Sequence, residues 1–515
     1  MIIIFNKVYV LIDNEWIKMM SNGTNEFAYN DFTVRGAGSE IIINSYDTKA
    51  SAVKCIADNI FFKDAKILGD AWERAYGNLA WEKMQDNKIM PWYFAAFDGD
   101  ETHCFGVKTG SDTLCFWQCT NEEIILVSDF RSGSNPVSFG GVELTACEIV
   151  AKKYQSDPFD ALCDFCSCMC DNPRKVNHAV FGGNDWYCNY GENSFEKILV
   201  HTKRIVECAK GCSSKPYMVI DDGWQLCHHQ SHDASRYYNG GPWKYCNKNF
   251  GDMKKMADAI KSEGAIPGIW MRPLWTVEKV PDEMILKSNG FVDTLDPSHP
   301  EVLSMVADDI KTICSWGYKL IKHDFSTFDI FGKWGFQINN ILSVKSIDFY
   351  DRTKTTAQII KNFYKAIRNA AGDDVLVMGC NTISHLSAGI FDIQRTGDDT
   401  SGMEWERTKK YGVNTLAFRM AQHNSFYLTD ADCVGITQSV DWKKNSQWLD
   451  VLAKSGTPLF VSIARDSYSD CVKKAVSSAF KINSECKYVS KPLDWMKKTL
   501  PCVWESQLGT DIYEW

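Results

Sequence analysis

The sequence lacks an excess of positive charge and lacks any long apolar run. Its 65 acidic residues outnumber its 56 basic residues, which gives a net charge of -9. A basic surface for nucleic acid or for anionic lipid is therefore not expected. No segment reaches the roughly 18 uncharged apolar residues that a membrane span requires. We accordingly expect no nucleic acid and no membrane as partners.

The N-terminus lacks the features of an export signal. The stretch MIIIFNKVYVLIDNEW begins with apolar residues but has no basic region before them, no cleavage site of small residues, and charges at Lys7 and Asp13. It is typical of a β-strand. The 20 cysteines are dispersed through 515 residues. Without an export signal, this dispersion favours reduced thiols and a cytoplasmic location.

The motifs of several large enzyme classes are also missing. The chain has no G-x-S-x-G around a serine, no H-E-x-x-H, no G-x-G-x-x-G after a strand and no Walker loop. This disfavours serine hydrolases, zinc proteases and nucleotide-dependent sugar enzymes. We expect no cofactor and no metal.

Two clusters nevertheless have residue types that bind metals. They are the run Cys163, Cys166, Cys168 and Cys170, and the group His228, His229, His232 and Asp233. A zinc site usually takes ligands from two separate places in the chain, so the cysteine run favours simple packing on a helix. The histidine group is typical of a polar loop.

The overall composition is typical of a globular protein that is rich in aromatic side chains. Hydrophobic residues make up 45% and aromatic residues 13% of the chain, with 18 tryptophans. Aromatic rings pack against the apolar faces of sugars, which favours a carbohydrate ligand slightly. A chain of 515 residues is longer than one hydrophobic core usually supports, so several domains are expected.

The pattern along the chain predicts four parts. Residues 1–150 contain short alternating runs such as SEIIINSYD and HCFGVKTG, typical of an antiparallel β-sandwich. The spacing is helix-like from residue 145 to residue 172, and residues 151–175 are expected to be a helical linker. The pattern over residues 176–465 predicts a (β/α)8 TIM barrel. Residues 466–515 are expected to form a small C-terminal β-domain.

The barrel prediction depends on eight short apolar strands that alternate with longer amphipathic stretches. The strand candidates are HAVFGGNDWY, PYMVIDDGW, AIPGIWMRP, YKLIKHD, VLVMGC, FDIQRTGDD, SFYLTDAD and TPLFVSI. Active sites in this fold lie at the C-terminal ends of the strands. Polar or aromatic residues at those ends are therefore candidates.

This rule selects mainly carboxylates, cations and aromatic residues. They are Asp185, Trp186, Asp221, Asp222, Trp270, Arg272, Lys322, Asp324, Cys380, Arg395, Asp398, Asp399, Asp430 and Asp432. In glycoside hydrolysis one carboxylate attacks the anomeric carbon and another protonates the departing oxygen. A ring of carboxylates and tryptophans without a cofactor motif is typical of that chemistry.

The main groups also have purely structural interpretations. The Asp221–Asp222 pair could form a turn or a helix cap. Lys322 and Asp324 could form an ion pair on one strand face. RTGDDTSG could be a surface turn with a helix cap. At this strand end Gly397 is expected to permit an unusual backbone angle.

Several motifs together resemble a known family. IDDGWQ, GIWMRPL, LDPSHPEV, IKHD, RTGDD and TDADCVGI, in this order over about residues 178–440, resemble the α-galactosidases of glycoside hydrolase family 36 and the related raffinose synthases and alkaline α-galactosidases. The resemblance is looser in the N-terminal sandwich and in the tail. It implies a retaining exo-α-galactosidase that acts on small oligosaccharides such as raffinose or melibiose. Family members often associate, which leaves a homo-oligomer open.

The resemblance also implies catalytic roles. In the motif K-x-D, Asp324 resembles the nucleophile, and Lys322 resembles the lysine that holds sugar hydroxyls. In the motif R-x-x-D-D, Asp398 resembles the general acid/base, supported by Arg395. Asp399 is the alternative acid/base, one position further along the chain.

The remaining site residues follow from the same resemblance. Asp221 and Asp222 resemble the pair that binds the galactose 4- and 6-hydroxyls, and Trp224 resembles a wall of the site. Further expected substrate-binding residues are Trp186, Trp270, Arg272 and Cys380.

The sequence departs from the family at two places. The middle position of K-x-D is usually apolar and is His323 here, and alternation should point this side chain away from Asp324. Many members also carry an acidic residue near Arg272. Because this acidic residue is absent here, the sequence does not indicate which residues bind the leaving group.

Other functions remain open at this level. A galactosyltransferase of the raffinose-synthase type would use another sugar in place of water. An α-glucosidase or α-N-acetylgalactosaminidase would differ only in pocket groups. A catalytically inactive carbohydrate-binding protein on the same scaffold is disfavoured, because both candidate carboxylates are present.

Overall fold

The computed structural model of the protein describes residues 1–23, 25–229, 238–288, 294–338, 340–341 and 346–515. Within these ranges, the side chains of residues 37, 227–229 and 238 are not described. None of the helices in the described ranges has the length and apolar character needed to cross a bilayer.

The first part of the chain forms two antiparallel sheets. Its strands are β1 (Lys7–Ile12), β2 (Glu15–Lys18), β3 (Met20–Ser21), β4 (Glu26–Tyr29), β5 (Phe32–Ala37), β6 (Glu40–Asn44), β7 (Ala52–Asp58), β8 (Lys66–Gly69), β9 (Glu82–Lys83), β10 (Met90–Pro91), β11 (Tyr93–Phe97), β12 (Thr102–Val107), β13 (Leu114–Cys119), β14 (Glu123–Asp129) and β15 (Leu144–Tyr154). The sheet orders are β10-β13-β14-β7-β1-β2 and β3-β4-β5-β6-β15-β12-β11-β8-β9.

The two sheets share one apolar core. Trp117 of the first sheet packs against Phe94 and Phe105 of the second, with ring centroids 6.0 and 6.3 Å apart. All three rings are fully buried or nearly so. This arrangement agrees with the predicted antiparallel β-sandwich, which we call the sandwich below.

The connection out of the sandwich differs from the prediction of helix-like spacing from residue 145. Residues 144–154 are strand β15, which pairs with β6 and β12, so residues 151–154 of the expected linker are extended. Pairing to two neighbouring strands outweighs the local helical pattern here. Helix α1 (Pro158–Met169) begins only after the strand. Asp157 caps it, because its side chain accepts a hydrogen bond of 2.9 Å from the Phe159 N–H.

The strands after α1 include a large parallel set. They are β16 (Phe181–Asn184), β17 (Tyr217–Ile220), β18 (Cys227–His229), β19 (Tyr238–Gly240), β20 (Ile266–Met271), β21 (Lys287–Ser288), β22 (Leu320–His323), β23 (Ile347–Asp348), β24 (Leu376–Gly379), β25 (Ile393–Arg395), β26 (Leu428–Asp430), β27 (Cys433–Ile436) and β28 (Leu459–Ile463). Nine of them form one sheet in the order β26-β25-β24-β22-β20-β17-β16-β28-β27, with parallel pairing throughout. All eight predicted strands lie in this sheet, so the prediction of these parallel strands is confirmed.

Helices alternate with these strands along the chain. They are α2 (Trp186–Asn189), α3 (Phe195–Cys208), α4 (Met253–Glu263), α5 (Pro300–Trp316), α6 (Ser326–Phe331), α7 (Thr356–Ala371), α8 (Ser384–Ser387), α9 (Trp405–Arg407), α10 (Thr415–Arg419), α11 (Trp442–Ser455) and α12 (Asp470–Glu485), with a π-helical segment at Thr408–Asn414. In α7, the Thr355 hydroxyl accepts from the Gln358 N–H, and the Gln358 amide oxygen accepts from the Thr355 N–H, both at 3.1 Å. This reciprocal cap fixes where the helix starts.

The C-terminal part also differs from the prediction. Helix α12 lies within residues 466–515, where only strands were expected, and buries Val472, Val476 and Phe480 at helical spacing. The Phe480 ring packs 5.0 Å from Phe181 of β16, so this helix covers the parallel sheet. Strands β29 (Lys491–Pro492), β30 (Val503–Ser506) and β31 (Gly509–Ile512) then form a three-stranded antiparallel sheet.

His323 in β22 points into the helix layer, as alternation predicts. Its fully buried ring lies 5.5 Å from Phe363, 5.7 Å from Tyr364 and 5.5 Å from Phe391, measured between ring centroids. Neither ring nitrogen has a hydrogen-bond partner among the described residues. Burial lowers the pKa of His323 to about 3, so the ring is neutral.

We predict that His323→Leu makes the protein less sensitive to mild acid. An unfolded histidine takes up a proton below about pH 6.5, whereas the folded pKa of His323 is about 3. The stability from this group is thus complete above about pH 6.5 and falls as the pH falls. Between about pH 6.5 and pH 5, this group should cost the wild type about 2 kcal/mol of unfolding free energy that His323→Leu does not lose. Urea unfolding of both proteins at the two pH values measures it, and an equal loss in both would contradict a neutral buried ring.

Candidate active site

The C-terminal ends of the parallel strands surround one cavity of about 330 Å³. Its lining residues are Trp186, Tyr190, Asp221, Asp222, Asn239, Trp270, Lys322, Asp324, Phe325 and Asp399. Most of them end a strand or follow one directly, as the strand-end rule predicts. Sequence reasoning missed Tyr190, Asn239 and Phe325. The volume and the mixture of aromatic and charged groups suit a small polar ligand.

Asp324 is held from two sides at the end of β22. The Trp270 indole N–H donates to its Oδ2 at 3.0 Å, and the Phe325 backbone N–H donates to its Oδ1 at 2.7 Å. Phe325 has a φ of 64°, which is uncommon for a residue other than glycine. Such strain is found where the surrounding structure requires a particular geometry. Here the turn allows the backbone N–H of Phe325 to hold the carboxylate of Asp324.

Lys322 pairs with Asp221 instead of Asp324. Its Nζ lies 2.7 Å from the Asp221 Oδ2, which also accepts a hydrogen bond of 2.7 Å from the Asn184 amide. Burial acts to lower the pKa of Lys322, but the surrounding groups together, Asp221 first among them, hold that pKa well above its usual value. The suggested ion pair between Lys322 and Asp324 is therefore replaced by a cation that bridges two strands.

Asp221 and Asp222 are buried members of a hydrogen-bond network. The Asp221 N–H donates to the Asp185 Oδ1 at 2.7 Å. Asp222 accepts from the Gln225 amide at 2.6 Å and from the Asn239 amide at 3.2 Å. Burial raises the pKa of Asp185 to about 6. A simple surface turn does not describe this pair, since both residues are at most 3% exposed.

Arg395 forms the centre of a second charged group. Its Nη2 lies 2.9 Å from Asp432 and 3.3 Å from Asp399, and its Nε lies 3.7 Å from Asp430. Burial raises the pKa of Asp430 to about 6. The Nη1 donates to the Cys380 sulfur at 3.4 Å. Cys380 and Arg395 do not line the cavity, although Arg395 contacts Asp399, which does.

The two neighbouring aspartates of RTGDD have different surroundings. Asp399 lines the cavity, and its side chain is 38% exposed. Asp398 does not line the cavity and pairs with Arg74 at 2.7 Å and Arg407 at 3.6 Å. Partial burial acts to raise the pKa of Asp399, but the surrounding cations together, Arg395 first and then Arg74, lower it. The geometry therefore favours the alternative, Asp399, over Asp398 as the group that reaches a ligand.

Gly397 is required for space rather than for an unusual backbone angle. It is not among the glycines with left-handed φ. A Cβ at this position would lie 2.0 Å from the Tyr411 carbonyl oxygen. Only glycine allows the loop after β25 to approach the π-helical segment so closely.

Two predicted binding residues lie behind the cavity wall. Trp224 is fully buried and donates its indole N–H to the Trp270 carbonyl at 2.8 Å. Arg272 pairs with Asp329, at 3.0 Å from its Nε, and donates to the Asn239 side-chain oxygen at 2.5 Å. Both therefore support residues that line the cavity, and neither lines it.

The two clusters with metal-binding residue types were expected to be helix packing and a polar loop, and only the cysteine run can be compared with the structure. Cys166 is fully buried in α1, which agrees with packing. His232 and Asp233 lie outside the described residues, as do the side chains of His228 and His229.

Elsewhere in the described chain, one group of possible metal ligands converges, formed by Asp98, Glu101 and His103. The His103 Nε2 lies 3.2 Å from Asp98, and Lys153 lies 3.0 Å from Glu101. We assign no metal there, because these groups already pair with one another and with a lysine.

No family model matches the chain. Solved α-galactosidases have a similar fold. TtGalA from Thermus thermophilus, in complex with p-nitrophenyl α-D-galactopyranoside, gives a TM-score of 0.61 at 14% identity and covers 99% of each chain. The glycoside hydrolase family 36 α-galactosidase AgaA from Geobacillus stearothermophilus gives a TM-score of 0.61 at 11% identity, over 90% of this chain and 69% of that chain. At these identities the likeness establishes the fold.

We predict that Lys322→Met lowers the free energy of unfolding by about 3–5 kcal/mol, because it leaves Asp221 buried without its cation. The double variant Lys322→Met/Asp221→Asn should recover most of this loss, since a neutral amide needs no counter-charge. Urea unfolding measures both variants. A single variant within about 1 kcal/mol of the wild type would contradict a tightly coupled pair.

Proposed function

We propose that this protein is a retaining exo-α-galactosidase of glycoside hydrolase family 36. The observation that carries the proposal is the placement of two carboxylates, Asp324 and Asp399, on one strand-end cavity with Lys322, Asp221 and Asp222. Two carboxylates facing one cavity are the minimum that glycoside hydrolysis requires. The similar fold of solved α-galactosidases supports the same sugar.

The proposal includes the domain architecture. We propose that the parallel sheet closes into a (β/α)8 barrel over about residues 176–485, between the sandwich and a small C-terminal β-domain. β26 and β27 stand at opposite ends of the sheet order, yet only Ala431 and Asp432 separate them in the chain. A short bend joining these strands would complete the ring.

The proposed reaction has two steps. In the first, an Asp324 oxygen attacks the anomeric carbon while Asp399 gives its proton to the departing glycosidic oxygen, which forms a β-galactosyl ester on Asp324. In the second, Asp399 takes a proton from water, and the water oxygen displaces Asp324 from the same carbon. Two inversions retain the α-configuration. Retention requires carboxyl groups about 5–5.5 Å apart.

The sugar would be held by the groups already in place. Asp221 and Asp222 present acceptor oxygens to hydroxyls, and Lys322 presents a donor. Trp186 and Trp270 offer aromatic faces to the C–H groups of the ring. A pocket of about 330 Å³ has room for one terminal sugar, which fits an exo-acting enzyme.

We predict that the protein hydrolyses p-nitrophenyl α-galactoside faster than the matching α-glucoside and α-N-acetylgalactosaminide. NMR should show that the galactose released first is the α-anomer. Release of β-galactose would contradict retention. With raffinose as substrate, free galactose indicates hydrolysis, whereas a longer oligosaccharide as the main product would indicate a transferase.

We predict that Asp324→Asn keeps the fold but lowers kcat by at least about 10³-fold, because an amide cannot form the ester. Asp399→Asn should lower kcat on raffinose by about 10²–10⁴-fold, the usual contribution of a general acid. Asp398→Asn is the matched control, since it removes the neighbouring charge and should retain more activity than Asp399→Asn. The opposite ranking of the two variants would identify Asp398 as the acid/base.

A further inference from the structure

A segment of the sandwich, residues 70–77, reaches the candidate active site. It lies between β8 and β9. The Ala75 N–H donates to the Thr396 carbonyl at 2.8 Å, and the Asp398 N–H donates to the Ala75 carbonyl at 3.1 Å. These bonds form a parallel bridge between Ala75 and Gly397. The sandwich backbone therefore runs beside the loop that carries Asp399.

Buried polar contacts anchor this segment to the parallel-sheet region. Asp70 accepts from the Arg419 Nε at 2.8 Å and from the Gln422 amide at 2.9 Å. Glu73 is fully buried, accepts from the Gly335 N–H at 3.0 Å and contacts the Asn381 amide. Buried polar groups with several hydrogen-bond partners are costly to displace. The segment therefore has a fixed position relative to the strand ends.

Arg74, between these anchors, is directed at the paired aspartates. It is 4% exposed. Its Nη2 lies 2.7 Å from the Asp398 Oδ1, and its Nη1 lies 3.7 Å from the Asp399 Oδ1. The same Nη1 lies 3.7 Å from the Cys380 sulfur. Since Arg395 contacts Asp399 as well, at 3.3 Å, the Asp399 carboxylate is near two guanidinium groups from different parts of the chain.

We propose that Arg74 is a positioning residue through which the sandwich sets the orientation and the charge of the acid/base Asp399. This inference rests on the proposed function. When Asp399 gives its proton to the departing oxygen, it becomes an anion, which Arg74 and Arg395 stabilise. In the second step Asp399 regains a proton from water. Arg74 exchanges no proton and touches no substrate.

Asp399 has several charged or titratable neighbours besides Arg74. They are Arg395 from β25, Lys322 from β22, Arg407 from α9, Tyr187 from α2, Tyr190 directly after α2, and the adjacent Asp398. Removing Arg74 takes away one of the cations that lower the pKa of Asp399. The carboxyl group should then stay protonated to higher pH, because an anion with fewer cationic neighbours is less stable.

The test compares wild type, Arg74→Gln and Arg74→Lys on two substrates across pH. For Arg74→Gln, we expect the basic limb of kcat/KM to move to higher pH. We also expect kcat/KM at the optimum to fall roughly 10- to 100-fold on raffinose. The fall on p-nitrophenyl α-galactoside should be much smaller, because p-nitrophenolate leaves with little protonation. Arg74→Lys should restore the pH limb, since it restores the charge.

Two further measurements separate a charge effect from a packing effect. In an Asp399→Asn background, Arg74→Gln should add little to the loss of activity, as expected for residues that act together. Arg35→Gln is the matched control, because Arg35 is an exposed sandwich arginine paired with Glu143 at 2.9 Å. It should behave as wild type. Equal losses on both substrates with an unmoved pH limb would overturn the inference.

A titration without substrate keeps this inference distinct from the proposed function. Carboxyl-¹³C aspartate labelling, with the Asp399 signal identified by its loss in Asp399→Asn, reports the pKa of Asp399 directly. An upward shift in Arg74→Gln supports the inference, and an unchanged pKa overturns it. A wild-type protein inactive on every α-galactoside would instead overturn the proposed function.

Discussion

The need to pair buried charges governs the arrangement at the strand ends. Removing a charged side chain from water costs several kcal/mol unless partners surround it. Arg395 is 1% exposed and has Asp399, Asp430 and Asp432 as neighbours. These contacts connect β25, β26 and the loops that follow them. The position of Asp399 therefore depends on a cation whose own burial requires the neighbouring strand.

The need to pair buried charges also explains the Lys322–Asp221 pair on the other side of the cavity. It joins β22 to the end of β17, with Asn184 of β16 as a further donor to Asp221. Because Lys322 is satisfied by Asp221, Asp324 is left to the donors Trp270 and Phe325. One oxygen of Asp324 thus contacts an aromatic N–H and the other contacts a backbone N–H. A carboxylate held in this way has little freedom to turn away from an approaching ligand.

Sequence patterns predicted the parallel strands and most of the cavity residues, because both depend on local alternation and on where a strand ends. Asp221, Lys322 and Asp324 were found for that reason. The choice between Asp398 and Asp399 depends on which side of the loop faces the cavity, and adjacent residues in one loop carry no local signal for this. Asn239 lies on a short strand outside the parallel sheet. Arg74 precedes Asp399 by more than 300 residues, so only the docking of the sandwich brings them together.

Residues that support the cavity from behind have the same chemical types as residues that line it. Trp224 and Arg272 follow the strand-end pattern as well as Trp270 and Lys322 do, yet they hold Trp270 and Asn239 in place. A buried site needs this second set, since a lining side chain keeps its direction only if its own polar atoms are satisfied. Polar residues at a strand end therefore indicate where a site lies. They do not indicate which of them contact the ligand. That distinction follows from hydrogen-bond partners, which form only once the strands are assembled.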